Sequence, residues 1–196
     1  MRRVIFEASV SLDGFIEGPN SELDWLVSGE TPANAATFLS AFDTIFFGRK
    51  AYEKLGIIHQ SGEDIPGDGR EFFYAFHRMR KYVFSKTLKH VAGNGMVISE
   101  NLETEVKRIR AEEGKDIWLC GGADIMRTFA TLDLIDAYFL IVHPVTLHSG
   151  TPLFEAHERP SDLSLAGRRN LKSGVVILQY LPESRSKNEY DHGGSF

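Results

Sequence analysis

The sequence predicts a single α/β domain built on a mostly parallel sheet, with an antiparallel hairpin at its end. Three observations carry this. Short apolar runs alternate with segments of helical spacing over most of the chain. Several of those runs are apolar at every position, as strands covered on both faces are. The last two runs, 163–168 and 175–181, flank Lys172-Ser173-Gly174, a hairpin signal. A chain of 196 residues suits one core, and no internal repeat or interdomain linker divides it.

Val4, Phe6, Ala8 and Val10 alternate with Ile5, Glu7, Ser9 and Ser11, a first strand closed by an Asp13-Gly14 turn. Thr31-Pro32 reads as a helix start, with Ala35, Leu39 and Phe42 on one face. Residues 44–47 form a second strand ended by Gly48, and 51–55 read as a helix behind it. The turn-rich stretch 59–70 predicts an exposed loop. Phe72, Phe73, Phe76 and Met79 have helical spacing, and 82–84 and 96–98 are further strands. Asn101 is placed to cap a helix lined by Leu102, Val106 and Ile109. Residues 117–120 form an apolar strand ended by Gly121-Gly122, followed by a helix turning Ile125, Phe129 and Leu132 inward. Residues 137–142 are another buried strand and 146–151 a loop facing the cleft. The domain is expected to span 1–182, with 183–196 a polar, mobile tail.

Composition narrows the function classes. Hydrophobic residues make up 42% and charged residues 25%, a balance that excludes bulk disorder. A net charge of −5 argues against a nucleic-acid partner. The single cysteine, Cys120, excludes an intrachain disulfide and fits a reducing compartment. Glu7 and Asp13 interrupt the first apolar run, which argues against a signal peptide. No apolar stretch approaches the roughly 20 residues of a membrane span. The expected location is the cytoplasm, without a membrane partner. The histidines are scattered, His143 and His148 being the nearest pair, so no metal site is expected. There is no GxGxxG, no P-loop and no GxSxG.

Two strand-to-helix junctions carry the chemistry that remains. At Phe47-Gly48-Arg49-Lys50 a glycine ends a strand and two cations stand where a helix begins. Free amides, a positive helix end and a fork of guanidinium donors suit a phosphate, such as the 2′-phosphate of NADPH. Read without a ligand, Arg49 and Lys50 are solvated residues at a helix start. At Cys120-Gly121-Gly122-Ala123-Asp124 two glycines let main-chain amides face an anion, or simply make a tight turn. Together the junctions argue better than either alone, because open α/β sheets bind ligands at the carboxyl ends of their strands.

These junctions and the first strand resemble the dihydrofolate-reductase-like superfamily, in particular its riboflavin-biosynthesis reductase branch and the stand-alone bacterial members. Ser11-Leu12-Asp13-Gly14-Phe15-Ile16 resembles the SLDGxI opening, Ser21-Glu22-Leu23-Asp24-Trp25-Leu26 the DWL segment, and Gly48-Arg49-Lys50-Ala51-Tyr52-Glu53 the GRxTYE motif. Tyr82-Val83-Phe84-Ser85-Lys86 resembles the strand bordering the adenosine, and Ile117-Trp118-Leu119-Cys120-Gly121-Gly122 the strand with its Gly-Gly pair. His143-Pro144-Val145 and Pro152-Leu153-Phe154 resemble the C-terminal stretch. The resemblance implies a three-layer fold with a mostly parallel sheet and an antiparallel last hairpin. It also implies NADPH across the strand ends, a homodimer, and a cis peptide between Gly121 and Gly122. Gly48, Arg49, Lys50, Ser85, Lys86, Gly121, Gly122, Ala123 and Asp124 would then contact the cofactor. The departures are Ala51 in place of threonine, Cys120 in place of a glutamate, and no carboxylate in 32–42, which argues against classical folate reduction. No HxE or PCxxC is present, so the deaminase domain that often accompanies this reductase is missing.

The implied activity is an NADPH-dependent reductase acting on a pterin-like, ribosylaminouracil-like or carbonyl substrate. The alternative is a nucleotide-binding regulatory protein that keeps the site without catalysis. Asp13 and Asp24 are the candidate proton donors; Asp13 also reads as a turn former and Asp24 as a helix cap. Trp25 is either a stacking wall for the substrate or a core anchor. His148 either donates to substrate or faces water, and Cys120 reads as a buried, inert thiol.

Overall fold

Alternation along the first strand sends Val4, Phe6 and Val10 to one buried layer and Ile5 to the other. Phe46 likewise joins the first layer, while Ile45 and Phe47 join the second. This period of two, apolar on both sides, is what a strand needs when helices cover both of its faces. The structure is a computed structural model that describes residues 1–27, 35–56, 67–154 and 162–185.

In chain order the elements are β1 (Val4–Ser11), β2 (Phe15–Glu17), α1 (Ala35–Ser40), β3 (Phe42–Gly48) and α2 (Arg49–Ala51), which runs into a π-helical turn, Tyr52–Gly56. Then come α3 (Gly67–Arg78), β4 (Arg80–Phe84), β5 (Gly95–Ile98), α4 (Leu102–Ala111), β6 (Asp116–Cys120), α5 (Ala123–Thr131) and β7 (Ala137–His143). The chain closes with β8 (Thr151–Pro152), β9 (Leu163–Asn170) and β10 (Val176–Pro182). The eight-stranded sheet has the order β5-β4-β3-β6-β1-β7-β10-β9. All pairings from β5 to β7 are parallel, and β10 is antiparallel to both β7 and β9. Residues of α4 and α5 (Val106, Ile109, Ile125, Met126, Phe129) pack on one face; Leu39 of α1 and Phe76 of α3 pack on the other. The predicted fold class, parallel sheet and terminal hairpin are all present. No helix among the described residues is long and apolar enough to cross a membrane.

Several local expectations are corrected. Phe42 opens β3 instead of lining a helix, because its backbone is paired with Asp116 of β6. Residues 67–70, read as loop, are the first turn of α3, while 57–66 lie outside the described residues, as does the Thr31-Pro32 helix start. The helix read at 51–55 is the π-helical turn. Asn101 does not cap α4 through its side chain; it takes a left-handed conformation (φ 52°) and offers its carbonyl to the Glu105 amide at 3.0 Å. Leu132 ends α5 facing solvent. The Gly121–Gly122 peptide is trans. Two short strands escaped the sequence reading: β2 and β8 pair with each other as a separate two-stranded sheet. The tail does not begin free at 183, since Arg185 pairs with Asp136 at 2.9 Å and Asp133 at 3.4 Å; residues 186–196 lie outside the described residues.

Lys81 shows how a buried charge closes an element. Its ammonium, 5% exposed as a residue, donates to the carbonyls of Phe76, His77 and Met79 at 3.0, 3.3 and 3.2 Å. The Phe76 and His77 carbonyls belong to the last turn of α3 and Met79 follows it, so the cation meets the negative end of the helix dipole. Burial pulls the Lys81 pKa below its ordinary value.

Candidate active site at the strand ends

The parallel strands all point their carboxyl ends to one edge, and that edge is stepped. Phe47, Cys120, Glu7 and Phe139 share one row across β3, β6, β1 and β7. β3 and β6 stop there, at Gly48 and Cys120. β1 and β7 run four residues further, to the Ser11–His143 pair, a rise of about 13 Å at strand spacing. The step leaves a recess floored by glycine backbone.

A side chain would clash at Gly121, crowd Ile125 at Gly48 and make only an ordinary contact at Gly122. A Cβ on Gly121 would lie 2.4 Å from Cγ2 of Ile125 and 3.5 Å from the Gly48 amide nitrogen; one on Gly48 would lie 3.2 Å from the same methyl. A Cβ on Gly122 would sit 3.5 Å from Ile16. Gly122 is also the residue before α5, and no side chain caps that helix. The first amides of this nine-residue helix therefore have no side-chain cap from Gly122, and the positive end of the helix dipole lies beside the Gly121–Gly122 turn.

The predicted cations border this floor. Arg49 and Lys50 open α2 directly after Gly48 and are exposed. Arg49 is held by Glu53 through two contacts of its Nη1, at 3.0 and 2.9 Å. An exposed i,i+4 pair is worth only about 0.3–0.5 kcal/mol, so a phosphate can displace Glu53 at small cost. Ser85 follows β4, and its hydroxyl accepts from the amides of Thr87 and Leu88 at 3.2 and 2.9 Å, which makes it a local turn former. Lys86 beside it is exposed. Ala123 is buried, and Asp124 turns outward to Arg127 at 3.0 Å. Gly48, Gly121, Gly122, Arg49 and Lys50 thus converge; Asp124 faces away from the recess floor. This glycine floor, the uncapped helix and the exposed cations fit the phosphates of NADPH.

The two candidate proton donors sit differently. Asp13 accepts from the Ser11 hydroxyl at 2.6 Å, the His148 amide at 2.8 Å and the Leu147 amide at 3.1 Å. The Ser11 bond first, then those amides, hold its pKa at about 2. A carboxylate so stabilised as an anion ties the 146–151 loop to the first turn and does not release a proton near neutrality. Asp24 is exposed in a turn at 24–26 and starts no helix. Trp25 packs edge-on against His143, ring centroids 5.4 Å apart, and donates to the Glu22 carbonyl at 3.1 Å. His148 is exposed with its ring 3.2 Å from the Thr146 hydroxyl, and its left-handed backbone (φ 62°) serves the Asp13 tie.

Two residues missed by sequence reasoning complete the site. His143, read as an ordinary strand-end histidine, is buried; the Val27 amide donates to its Nδ1 at 3.2 Å. The proton therefore belongs on Nε2, which is buried without a partner among the described residues. Burial lowers the His143 pKa and keeps the ring neutral. Glu7 lies on the α1–α3 side of β1, in register with Cys120 and Phe139. Burial raises its pKa to about 7; the nearby Trp118 indole N–H tempers this without reaching hydrogen-bond length. The only signal for Glu7 was a carboxylate in an alternating strand, which reads equally as a solvated face. Cys120 is buried, and burial together with the Glu7 charge pushes its thiol pKa up, so it stays protonated. Among the described residues no group of His, Cys, Asp and Glu could hold a metal ion.

Two concavities, of about 670 and 250 Å³, lie elsewhere. The first is lined by Arg2, Arg110 and Lys115 and the second by Asp133, Tyr138 and Pro182, all toward the amino ends of the parallel strands. Volume alone does not make either a site, since parallel sheets bind at the opposite edge.

The RibD C-terminal domain family matches residues 2–177. The chain belongs to that family. YyaP of Bacillus subtilis (strain 168), an uncharacterized protein, is 38% identical over 179 residues, covering 91% of this chain and 94% of YyaP. A crystal structure of a protein named for riboflavin biosynthesis, from Shewanella sp. PV-4, superposes with a TM-score of 0.74 at 19% identity, over 92% of this chain and 99% of that one. The Thermotoga maritima diaminohydroxyphosphoribosylaminopyrimidine deaminase/5-amino-6-(5-phosphoribosylamino)uracil reductase superposes with a TM-score of 0.65 at 12% identity, over 92% of this chain but 56% of that one. The fold is therefore the riboflavin-biosynthesis, pyrimidine-reductase-like fold of that family.

Proposed function

We propose that this chain is an NADPH-dependent reductase acting on a small heterocyclic substrate, pterin-like or ribosylaminouracil-like, or on a carbonyl compound. The observation that carries the reading is the glycine floor at Gly48 and Gly121–Gly122, open to an uncapped helix end and bordered by Arg49 and Lys50. When bound there, the dinucleotide supplies a hydride; the protein binds, orients and excludes water. Gly48, Gly121 and Gly122 give close backbone approach to the pyrophosphate. Arg49 and Lys50 face the 2′-phosphate, with Ser85 and Lys86 on the adenosine side. Trp25 and the neutral His143 wall the substrate side.

A nucleotide-binding module without catalysis is the second reading, favoured by the placement of Asp13 as a tied anion and of Asp24 in an exposed turn. Turnover separates the two: an enzyme oxidises NADPH with an acceptor, and a module only binds it. The same reading takes the chain as a cytoplasmic homodimer with no nucleic-acid or membrane partner; a monomer in sedimentation at micromolar concentration removes the dimer. The deciding experiment is calorimetric titration with NADPH and, separately, NADH. Micromolar NADPH binding with clearly weaker NADH supports the reading, and binding of neither ends it.

A further inference from the structure

Glu7 is out of place in an apolar layer. Its neighbours on the α1–α3 side of the sheet are Ile5, Trp118, Cys120 and Phe139, with Phe38 of α1 edge-on to both Trp118 and Phe139. Every other charged side chain buried or half-buried near the first strand is paired: Arg2 with Asp43, Arg3 with Asp116, Arg110 with Asp136. Glu7 has no ion-pair partner among the described residues, and no charged side chain acts on it. The groups that face it are the Cys120 thiol and Trp118 indole from β6, Phe139 from β7, and Ser9 two residues on; Gln179 of β10 pairs in register with Phe139.

Burying a carboxyl in such a layer without a cation is costly, and nothing in the fold requires it: Glu7 caps no helix and bridges no strands. Two features give it an outlet. Glu7, Phe139 and Ile141 are all half-buried although β1 and β7 are interior strands, so the described residues leave this patch of the face partly open. The patch also stands level with the row where β3 and β6 end, one residue below the Gly48 and Gly121 backbones.

We propose that Glu7 is the proton-exchanging catalytic residue of this site, touching the substrate from the α1–α3 face. The proposal rests on the reductase reading and names the group that Asp13 and Asp24 do not supply. When a C=N or C=O carbon of the substrate accepts a hydride, a new C–H bond forms. The π pair of that bond moves to the nitrogen or oxygen. Glu7 donates its carboxyl proton there, forming N–H or O–H and leaving a carboxylate that water reprotonates. The dinucleotide is oxidised by two electrons and the substrate reduced by two. A neutral carboxyl at working pH is the form this step needs, and burial keeps Glu7 near that form, at about 7.

The test uses the full chain with NADPH and 5-amino-6-(5-phosphoribosylamino)uracil as probe substrate. Glu7→Gln keeps the shape of the neutral acid, and Glu7→Asp serves as second variant. Glu7→Gln is expected to lower kcat by about 100-fold or more, the usual worth of a general acid, with the Kd for NADPH unchanged and KM moved little. The wild-type rate is expected to fall as pH rises through neutrality, and Glu7→Asp to retain part of the rate. Infrared titration of the wild type minus Glu7→Gln is expected to show one carboxyl titrating near neutrality. A carboxyl already ionised at pH 5, or equal kcat and equal pH profiles in wild type and Glu7→Gln, overturns the proposal. Wild-type protein that fails to bind NADPH or to reduce the probe overturns the reductase reading instead, and the proposal falls with it.

Discussion

At the amino-terminal edge of the sheet, buried arginines and aspartates come in pairs; at the carboxyl-terminal edge Glu7 stands without a counter-charge among the described residues. Asp136, just before β7, accepts from Arg110 at 2.8 Å, from Arg185 at 2.9 Å and from the Val4 amide at 2.7 Å. Arg2 donates to Asp43 and to the Thr44 hydroxyl. This network ties the start of β1 to β3, α4 and β7. At the other edge the glycine turns carry no side chains and Arg49 and Lys50 are exposed, and among the described residues the His143 Nε2 has no partner and Glu7 no counter-charge. One edge spends its polar groups on the fold. The other leaves them available, as a ligand site must.

The comparison can be broken from either side. The largest effect is expected from Asp136→Ala, which strands a buried Arg110 and leaves the Val4 amide unpaired. Urea unfolding should show a loss of about 3–5 kcal/mol, with NADPH affinity of the remaining folded protein unchanged. A loss below 1 kcal/mol would remove the contrast.

Glu7 should act on stability in the opposite sense. Its folded pKa, about 7, lies above the ordinary 4.5, so between those values the native state binds more protons than the unfolded chain. Stability contributed at low pH is therefore lost as pH rises through that window. Relative to Glu7→Gln, the wild type should lose up to about 3 kcal/mol between pH 5 and pH 8. Parallel stability curves for the two proteins would show that Glu7 carries no such cost.

Arg49→Ala should weaken NADPH by about 10- to 100-fold, the worth of a charge-assisted hydrogen bond. NADH should weaken by less than about 3-fold, because it lacks the 2′-phosphate that a guanidinium fork binds. Equal losses would show that Arg49 does not read that phosphate. The smallest effect is expected from Glu103→Gln, which removes the exposed 2.6 Å pair with Lys107 on α4. It should change stability by about 0.3–0.5 kcal/mol and nothing else.

Much of this was legible in the residue order. Phe46 between Ile45 and Phe47, and Trp118 between Ile117 and Leu119, announce strands buried on both faces, because no strand exposed on one side sustains such a run. The glycines after β3 and β6 announced turns at strand ends, and Arg49 and Lys50 beside them announced cations near free amides. Glu7 and His143 were not legible. A glutamate in an alternating strand reads as solvated until the helices that cover its face are known. A histidine at a strand's end reads as exposed until Trp25 is found edge-on against it. Asp13 was misleading for the same reason: an Asp-Gly turn says nothing of the two amides, 134 and 135 residues away along the chain, that hold its carboxylate.

The sequence by itself determined the periodicities, and so the buried layers and the glycine turns at the strand ends, because these follow from residues close together in the chain. Only the tertiary structure decided which carboxylate is paired and which is alone. Burial and counter-charge depend on residues brought from distant parts of the chain: Asp136 meets Arg110 and Arg185, whereas Glu7, among the described residues, faces an indole, a thiol, a phenyl ring and a serine and no cation.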